Sequence, residues 1–121
     1  MPGNYDFIPL LKAFDKYKYF SDHNRYRNNY DFQLSLLLLN QVFYMTNGNT
    51  LLVENKQPFT PISVLHYEHY TNPGELNEHL YKLEELQCVA GKDHLAFGTV
   101  QTPSLTDYAD GVDTIQFLLG L

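Results

Sequence analysis

Five histidines, one cysteine and a spaced set of carboxylates are the residues here whose types can do chemistry. His66 and His69 fall in a stretch that reads as a strand, where positions three apart project to opposite faces. They therefore make a poor metal pair. The chain has neither a second cysteine nor an H-E-x-x-H run to complete a site. No structural metal is expected. Cys88 is the only thiol, so no internal disulfide framework exists. A nucleophilic cysteine needs an exposed, electropositive or helix-N-terminal setting. Cys88 sits in the apolar run LQCVA, so a buried structural thiol is the expectation. Cys88 activated by His66 or His69 is the competing reading. Asp107, Asp110 and Asp113 recur at three-residue spacing. A paired-carboxylate hydrolase would need two of them held across a cleft. Aspartates beside Ala, Gly and Ser more often serve caps and turns, and that role is expected here. The alternative places Tyr108 to Gly111 at a pocket mouth. A glycine-rich phosphate loop and a G-x-S-x-G elbow are both missing from the sequence.

The elements that must position these residues read as follows. Asn4 or Asp6 can cap a first helix running to about Tyr19, with Phe7, Leu10, Leu11 and Phe14 on one face. Pro9 is early enough to be tolerated. Ser21 to Asn29 reads as a loop, or as a loop entering the next helix. Tyr30 to Met45 carries the strongest helical signal, capped by Asn28 or Asn29. Leu34 and Leu36 to Leu39 make it apolar on more than one side, so either two faces are buried or one meets a partner. Thr46-Asn47-Gly48-Asn49 stops it, with Asn47 or Gly48 in the left-handed conformation. Thr50 to Val53 and Ile62 to Tyr70 read as strands, separated by a proline-bounded loop. Asn72 caps a helix that begins at Pro73, carries Glu75 in its first turn and is expected through residue 85. Leu86 to Ala90 reads as another strand, closed by Gly91. The order strand, helix, strand is that of a parallel β-α-β unit, and the fold class is α/β. Asp113 can cap a last helix from Thr114 to Leu119.

The 121 residues suit one small domain. A hydrophobic content of 44% against 18% charged excludes a disordered composition. Ten tyrosines and eight phenylalanines, without tryptophan, suit half-buried surfaces and interfaces. A net charge of −6 offers no basic stripe for nucleic acid. No apolar run approaches the length of a membrane span, so membrane insertion is not expected. A soluble cytoplasmic protein is the expectation.

Four stretches carry a resemblance to a known family. They are HNRYRNNYDFQLSLLLLNQ (His23 to Gln41), PISVLHYEHYTNPGELNEHL (Pro61 to Leu80), LQCVAG (Leu86 to Gly91) and FGTVQTPSLTDYADGVDTIQFL (Phe97 to Leu118). The pattern resembles the C-terminal third of the acyl-CoA reductases related to the fatty acid reductase of bacterial luminescence, in the Bacteroidetes version. The run FG-x-x-Q-x-P-x-L-x-DYADGVDT is its most specific part. The family belongs to the aldehyde dehydrogenase superfamily, and the resemblance implies several things. The fold would be part of an aldehyde-dehydrogenase-like catalytic domain, with a small, mostly parallel sheet flanked by helices. Residues 1–121 would be one α/β domain. The parent reaction would reduce a fatty acyl-CoA to its aldehyde with NADPH, through a cysteine thioester. The nucleophile and the nucleotide-binding domain would precede residue 1, which makes this chain inactive alone, with no catalytic residue and no bound cofactor of its own. Cys88 would be an ordinary cysteine of a late strand. The superfamily's E-x-F-G-P segment, whose glutamate contacts the nicotinamide ribose, is matched by Gln57-Pro58-Phe59-Thr60-Pro61. Gln57 stands for the glutamate and Thr60 for the glycine. Gln57 and Phe59 are the implied cofactor-binding residues, and Gln57 retains the capacity to hydrogen-bond a ribose hydroxyl.

Three functions follow from these readings. The chain is the C-terminal portion of such a reductase, partnered by the rest of that chain. Alternatively it is a self-contained module that binds another protein or a copy of itself. The third reading is a small hydrolase or transferase using Cys88 and a histidine.

Overall fold

A computed structural model describes residues 1–83, 86–108 and 112–121. The chain divides into two compact units, Met1–Glu78 and His79–Leu121. In the first, helix α1 spans Ile8–Phe14. The Asp6 carboxylate accepts from the Ile8 N–H at 3.0 Å, and Pro9 lies in the first turn. The chain then tightens into a 3₁₀ segment, Asp15–Asp22, where a continuing α-helix was expected. In a 3₁₀ turn residues three apart eclipse. Lys18 meets Asp15 at 3.1 Å, and the Tyr17 and Phe20 rings lie 6.2 Å apart, both at that spacing. Asn47 also donates to the Leu11 carbonyl and to Asp15, which ties the end of α1 to a distant turn.

Helix α2 spans Asn24–Leu39, so both ends lie six residues earlier than the apolar pattern predicts. At its start, polar residues are held by local bonds rather than by a cap. Asn29 donates to the Arg25 carbonyl at 2.8 Å, and Arg27 pairs with Asp31 at 3.1 Å. At its end Gln41 takes φ +55, the Val42 N–H bonds the Leu37 carbonyl and the Gln41 N–H bonds that of Leu38. That is a Schellman closure with glutamine in the left-handed position. The left-handed Gly48, φ +93, belongs to the next turn instead.

Strands β1 (Met45–Thr46), β2 (Leu51–Glu54) and β3 (Val64–Tyr67) form one mixed sheet in that order. β1 and β2 are antiparallel, with Thr46 opposite Leu51. Their turn is built by Asn47, whose Oδ1 accepts from the Asn49 and Thr50 N–H groups. β2 and β3 are parallel, from Leu51 beside Val64 to Glu54 beside Tyr67. The connection between them holds Pro58 and Pro61 and no helix. α2 lies on the sheet through Tyr30, Leu34 and Leu37, which meet Leu51, Val53 and Val64 with Tyr44. The i, i+4, i+7 spacing of the helical trio is what puts one face on the sheet. The Tyr30 hydroxyl is paired with Thr46 Oγ1 at 2.9 Å, so the one polar atom this ring carries inward is satisfied.

Helix α3, Pro73–Tyr81, crosses from the first unit into the second. Its start is the expected one. Asn72 Oδ1 accepts from the Gly74 N–H at 2.9 Å, and its amide donates to Glu75. The expected continuation to 85 is not formed as far as Leu83, and Glu84 and Glu85 lie outside the described residues. Leu86 to Ala90 is not a strand, which corrects the β-α-β unit expected around α3. Its single pairing is a bridge from Ala90 to Leu95. A strand needs a neighbour over several residues, and the chain turns back at Gly91, φ +146, before one can form. Helix α4, Thr114–Leu119, closes the second unit with the expected cap: Asp113 accepts from the Ile115 and Gln116 N–H groups at 3.1 and 3.0 Å. The architecture is α/β in the general sense, helices with one small sheet.

Candidate functional site

Concave surfaces and one open helix face among the described residues are places where this chain can meet something else. The first cavity, about 340 Å³, lies in the first unit among the rings of Phe14, Tyr17, Phe20 and Tyr26, with Asn49 and Leu65. The 3₁₀ segment supplies two of those rings, and the β1–β2 turn supplies Asn49. Asn49 is 2% exposed, and its Oδ1 has no hydrogen-bond partner. Its main chain is fully engaged. The N–H bonds Asn47 Oδ1, and the carbonyl accepts from the Tyr26 hydroxyl at 2.6 Å. No sequence signal marks this residue, since an Asn beside a Gly reads as a turn and nothing more.

A wider groove in the second unit, about 830 Å³, is lined by Cys88, Leu95, Thr102, Pro103, Asp107 and Tyr108 among others. Cys88 is exposed, which corrects the expected buried thiol. The reason is the missing strand: without a sheet around LQCVA nothing covers the side chain. No histidine is among the described residues lining the groove. His66 and His69 belong to the other unit, where the Nδ1 atoms face the Gln57 and Pro2 carbonyls at 2.8 and 3.2 Å. Asp107 Oδ2 accepts from the Ser104 N–H at 2.7 Å, and that bond holds its carboxyl below the usual carboxylate range. Asp113 is spent on the α4 cap. Asp110 lies outside the described residues, as do Ala109 and Gly111 of the proposed pocket mouth. The two aspartates that are described are therefore turn and cap residues, as their neighbours implied.

Gln57 and Phe59 sit on the exposed loop between β2 and β3. The Gln57 N–H is held by Asn55 Oδ1 at 3.0 Å and its carbonyl by His66, so the loop has a defined start. Phe59 is 67% exposed. Among the described residues no group of three His, Cys, Asp or Glu is placed to hold a metal ion. No described helix is long and apolar enough to cross a membrane.

The open face belongs to α2. Opposite the sheet-facing trio, Phe32, Leu36 and Leu39 repeat the same i, i+4, i+7 spacing outward. Phe32 is 59% and Leu39 79% exposed, and Phe43 just beyond the helix is also largely exposed. The helix thus has two apolar faces, and only one is packed within its unit. Comparison of the chain with protein-family models, with curated proteins and with solved structures finds no match.

Proposed function

We propose that this chain is the C-terminal portion of an NADPH-dependent acyl-CoA reductase of the bacterial luminescence type, and that it works by packing against the remainder of that enzyme. The observation that carries the reading is the second apolar face of α2, Phe32, Leu36 and Leu39. A contiguous apolar surface of this kind marks a contact with another protein surface. The resemblance of the four sequence stretches quoted above supports the remainder of such a reductase as the partner. In this reading β1, β2 and β3 are part of an aldehyde-dehydrogenase-like catalytic domain, and the loop carrying Gln57 and Phe59 approaches the nicotinamide ribose. The chain supplies surface and positioning. The thioester-forming cysteine and the nucleotide-binding domain come from the rest of the enzyme, so the 121 residues alone do not turn over. Mixing the chain with the cysteine-bearing portion of a reductase of this family is the test. Association and recovered NADPH oxidation with a fatty acyl-CoA are expected, and Leu39→Lys should suppress both. Turnover by the chain alone, or no association with that portion, overturns the reading.

A self-contained module that binds a copy of itself is the second reading. It is favoured by the first unit, which closes a core of Tyr30, Leu51, Val53 and Val64 from its own residues. Here the outward face of α2 meets the same face of a second copy. A monodisperse monomer in light scattering at high concentration would count against it.

A further inference from the structure

β3 is an edge strand, and its outer side carries main-chain groups that neither reading uses. The Leu51 N–H bonds the Ser63 carbonyl at 2.8 Å, and the Asn55 N–H bonds that of Tyr67 at 3.1 Å. In a parallel ladder alternate residues turn to the same neighbour, so residues 63, 65 and 67 face β2 and Val64, His66 and Glu68 face outward. At the start of the outer side the Val64 N–H closes a turn on the Pro61 carbonyl. At its far end the chain lays its own first residues alongside in parallel. The Met1 ammonium donates to the Glu68 carbonyl, the Tyr70 N–H donates to the Met1 carbonyl, and Pro2 bridges Tyr70. Between these ends the Val64 carbonyl, the His66 N–H and carbonyl, and the Glu68 N–H have no partner among the described residues. This open stretch is about 13 Å long at the usual rise of a strand. Unpaired strand edges of this kind are templates for another strand.

The free groups select the direction of that strand. In a parallel strand, a first residue beside Leu65 donates to the Val64 carbonyl and accepts from the His66 N–H. The third residue, beside Tyr67, donates to the His66 carbonyl and accepts from the Glu68 N–H. All of the free groups are then met, and the strand ends just before the place that Met1 holds. An antiparallel strand centred on His66 leaves the Glu68 N–H unmet, because the residue that would reach it runs into Met1. Two β3 edges related by a two-fold axis normal to the sheet run antiparallel, so a second copy is the poorer occupant. Paired residues share a face of the sheet. The first residue of the parallel strand therefore projects its side chain on the Leu65 side. Leu65 is 41% exposed and lines the cavity of about 340 Å³ together with Phe14, Tyr17, Phe20 and Tyr26.

We propose that the outer side of β3 binds an extended peptide segment of another protein, parallel to β3, with a large apolar side chain at the residue beside Leu65. The edge supplies the hydrogen bonds and the direction, and the aromatic cavity receives the side chain. The proposal rests on neither reading above, and its test is independent of NADPH and acyl-CoA.

The probe is the peptide Thr-Phe-Thr-Val, acetylated and amidated at its ends, titrated into the 121-residue chain and followed by amide NMR. Its phenylalanine is placed beside Leu65 and its valine beside Tyr67. The His66 and Glu68 amide protons should move downfield and gain protection from exchange. Methylating the valine nitrogen removes the donor to the His66 carbonyl and should weaken binding at least about tenfold. Methylating the nitrogen of the threonine between phenylalanine and valine, which points away from β3, should change it by less than about threefold. Alanine in place of the phenylalanine should weaken binding at least about tenfold. A spin label on the N-terminus of the peptide should broaden Val64 rather than Glu68. His66→Pro removes an outward N–H, a change an edge strand tolerates, and should abolish binding, whereas His66→Ala keeps the N–H and should bind as the unmodified chain does. No binding, equal effects of the two N-methyl groups, broadening at Glu68, or shifts confined to the outward face of α2 overturn the proposal. So does protection of the His66 amide that grows with protein concentration in the absence of peptide, which would assign the edge to a second copy. The peptide comparisons use the unmodified chain, so a failure of His66→Pro to fold leaves the proposal testable.

Discussion

Replacing Phe32 and Leu39 together by glutamine separates the two faces of α2. A fully buried Leu or Phe is worth roughly 1.5–3 kcal/mol. Leu39 is 79% and Phe32 59% exposed, so most of that contribution is absent in the isolated chain. The covered fractions amount to about 1–2 kcal/mol for the pair, and at position 32 the better helix propensity of glutamine over phenylalanine offsets part of it. The inward control is Leu37→Ala, which deletes a half-buried side chain packed on the core of Tyr30, Leu51, Val53 and Val64 and should cost about 2–3 kcal/mol. Contact with a second surface would recover the uncovered parts, about 2–4 kcal/mol for the pair, or about 30- to 1,000-fold in the association constant. Urea unfolding at low concentration reads the first quantity, and light scattering over a concentration series, with and without the reductase portion, reads the second. A double variant that unfolds as readily as Leu37→Ala would refute the assignment of inward and outward faces. A double variant that associates as well as the unmodified chain would refute the contact surface.

Two further outcomes follow from the first unit. Ser63 holds φ +71 in the turn before β3, and its hydroxyl is buried without a partner. Ser63→Gly should therefore raise stability by about 1–2 kcal/mol in chemical denaturation, and a loss would show that the strain is illusory. Burial, and then the Glu54 carboxylate beside it in the parallel register, raise the Tyr67 hydroxyl above its ordinary value of 10.0. The native state then keeps a proton that the unfolded chain releases, so this contribution is complete below pH 10 and is lost as pH rises through the raised value. Tyr67→Phe should flatten the alkaline fall in stability, and parallel losses in both proteins would refute the assignment.

Local chemistry was legible in the sequence wherever the deciding atoms lie two or three residues apart. Asn72 and Asp113 cap their helices because each side chain reaches an N–H in the next turn. Asp107 is a turn residue for the same reason. Leu51 to Val53 forms a strand from its own composition, and the two-sided apolar pattern of α2 announced a helix with one face too many. Its register was not legible. The six-residue shift depends on local bonds at Asn29 and Arg27 and on a left-handed glutamine that composition does not favour.

The remaining features were decided by tertiary structure, because they need a partner distant in sequence. β2 pairs with β3 in parallel and with β1 antiparallel, while LQCVA, of similar composition, finds no neighbour and leaves Cys88 exposed. Which face of α2 is covered depends on where the sheet lies. Asn49 is an ordinary turn residue in the sequence. It becomes a buried acceptor only in the folded unit, where the Tyr26 hydroxyl of α2 closes on its carbonyl. A capping bond is settled within one turn of chain, but burial and pairing are settled by what the rest of the fold places alongside.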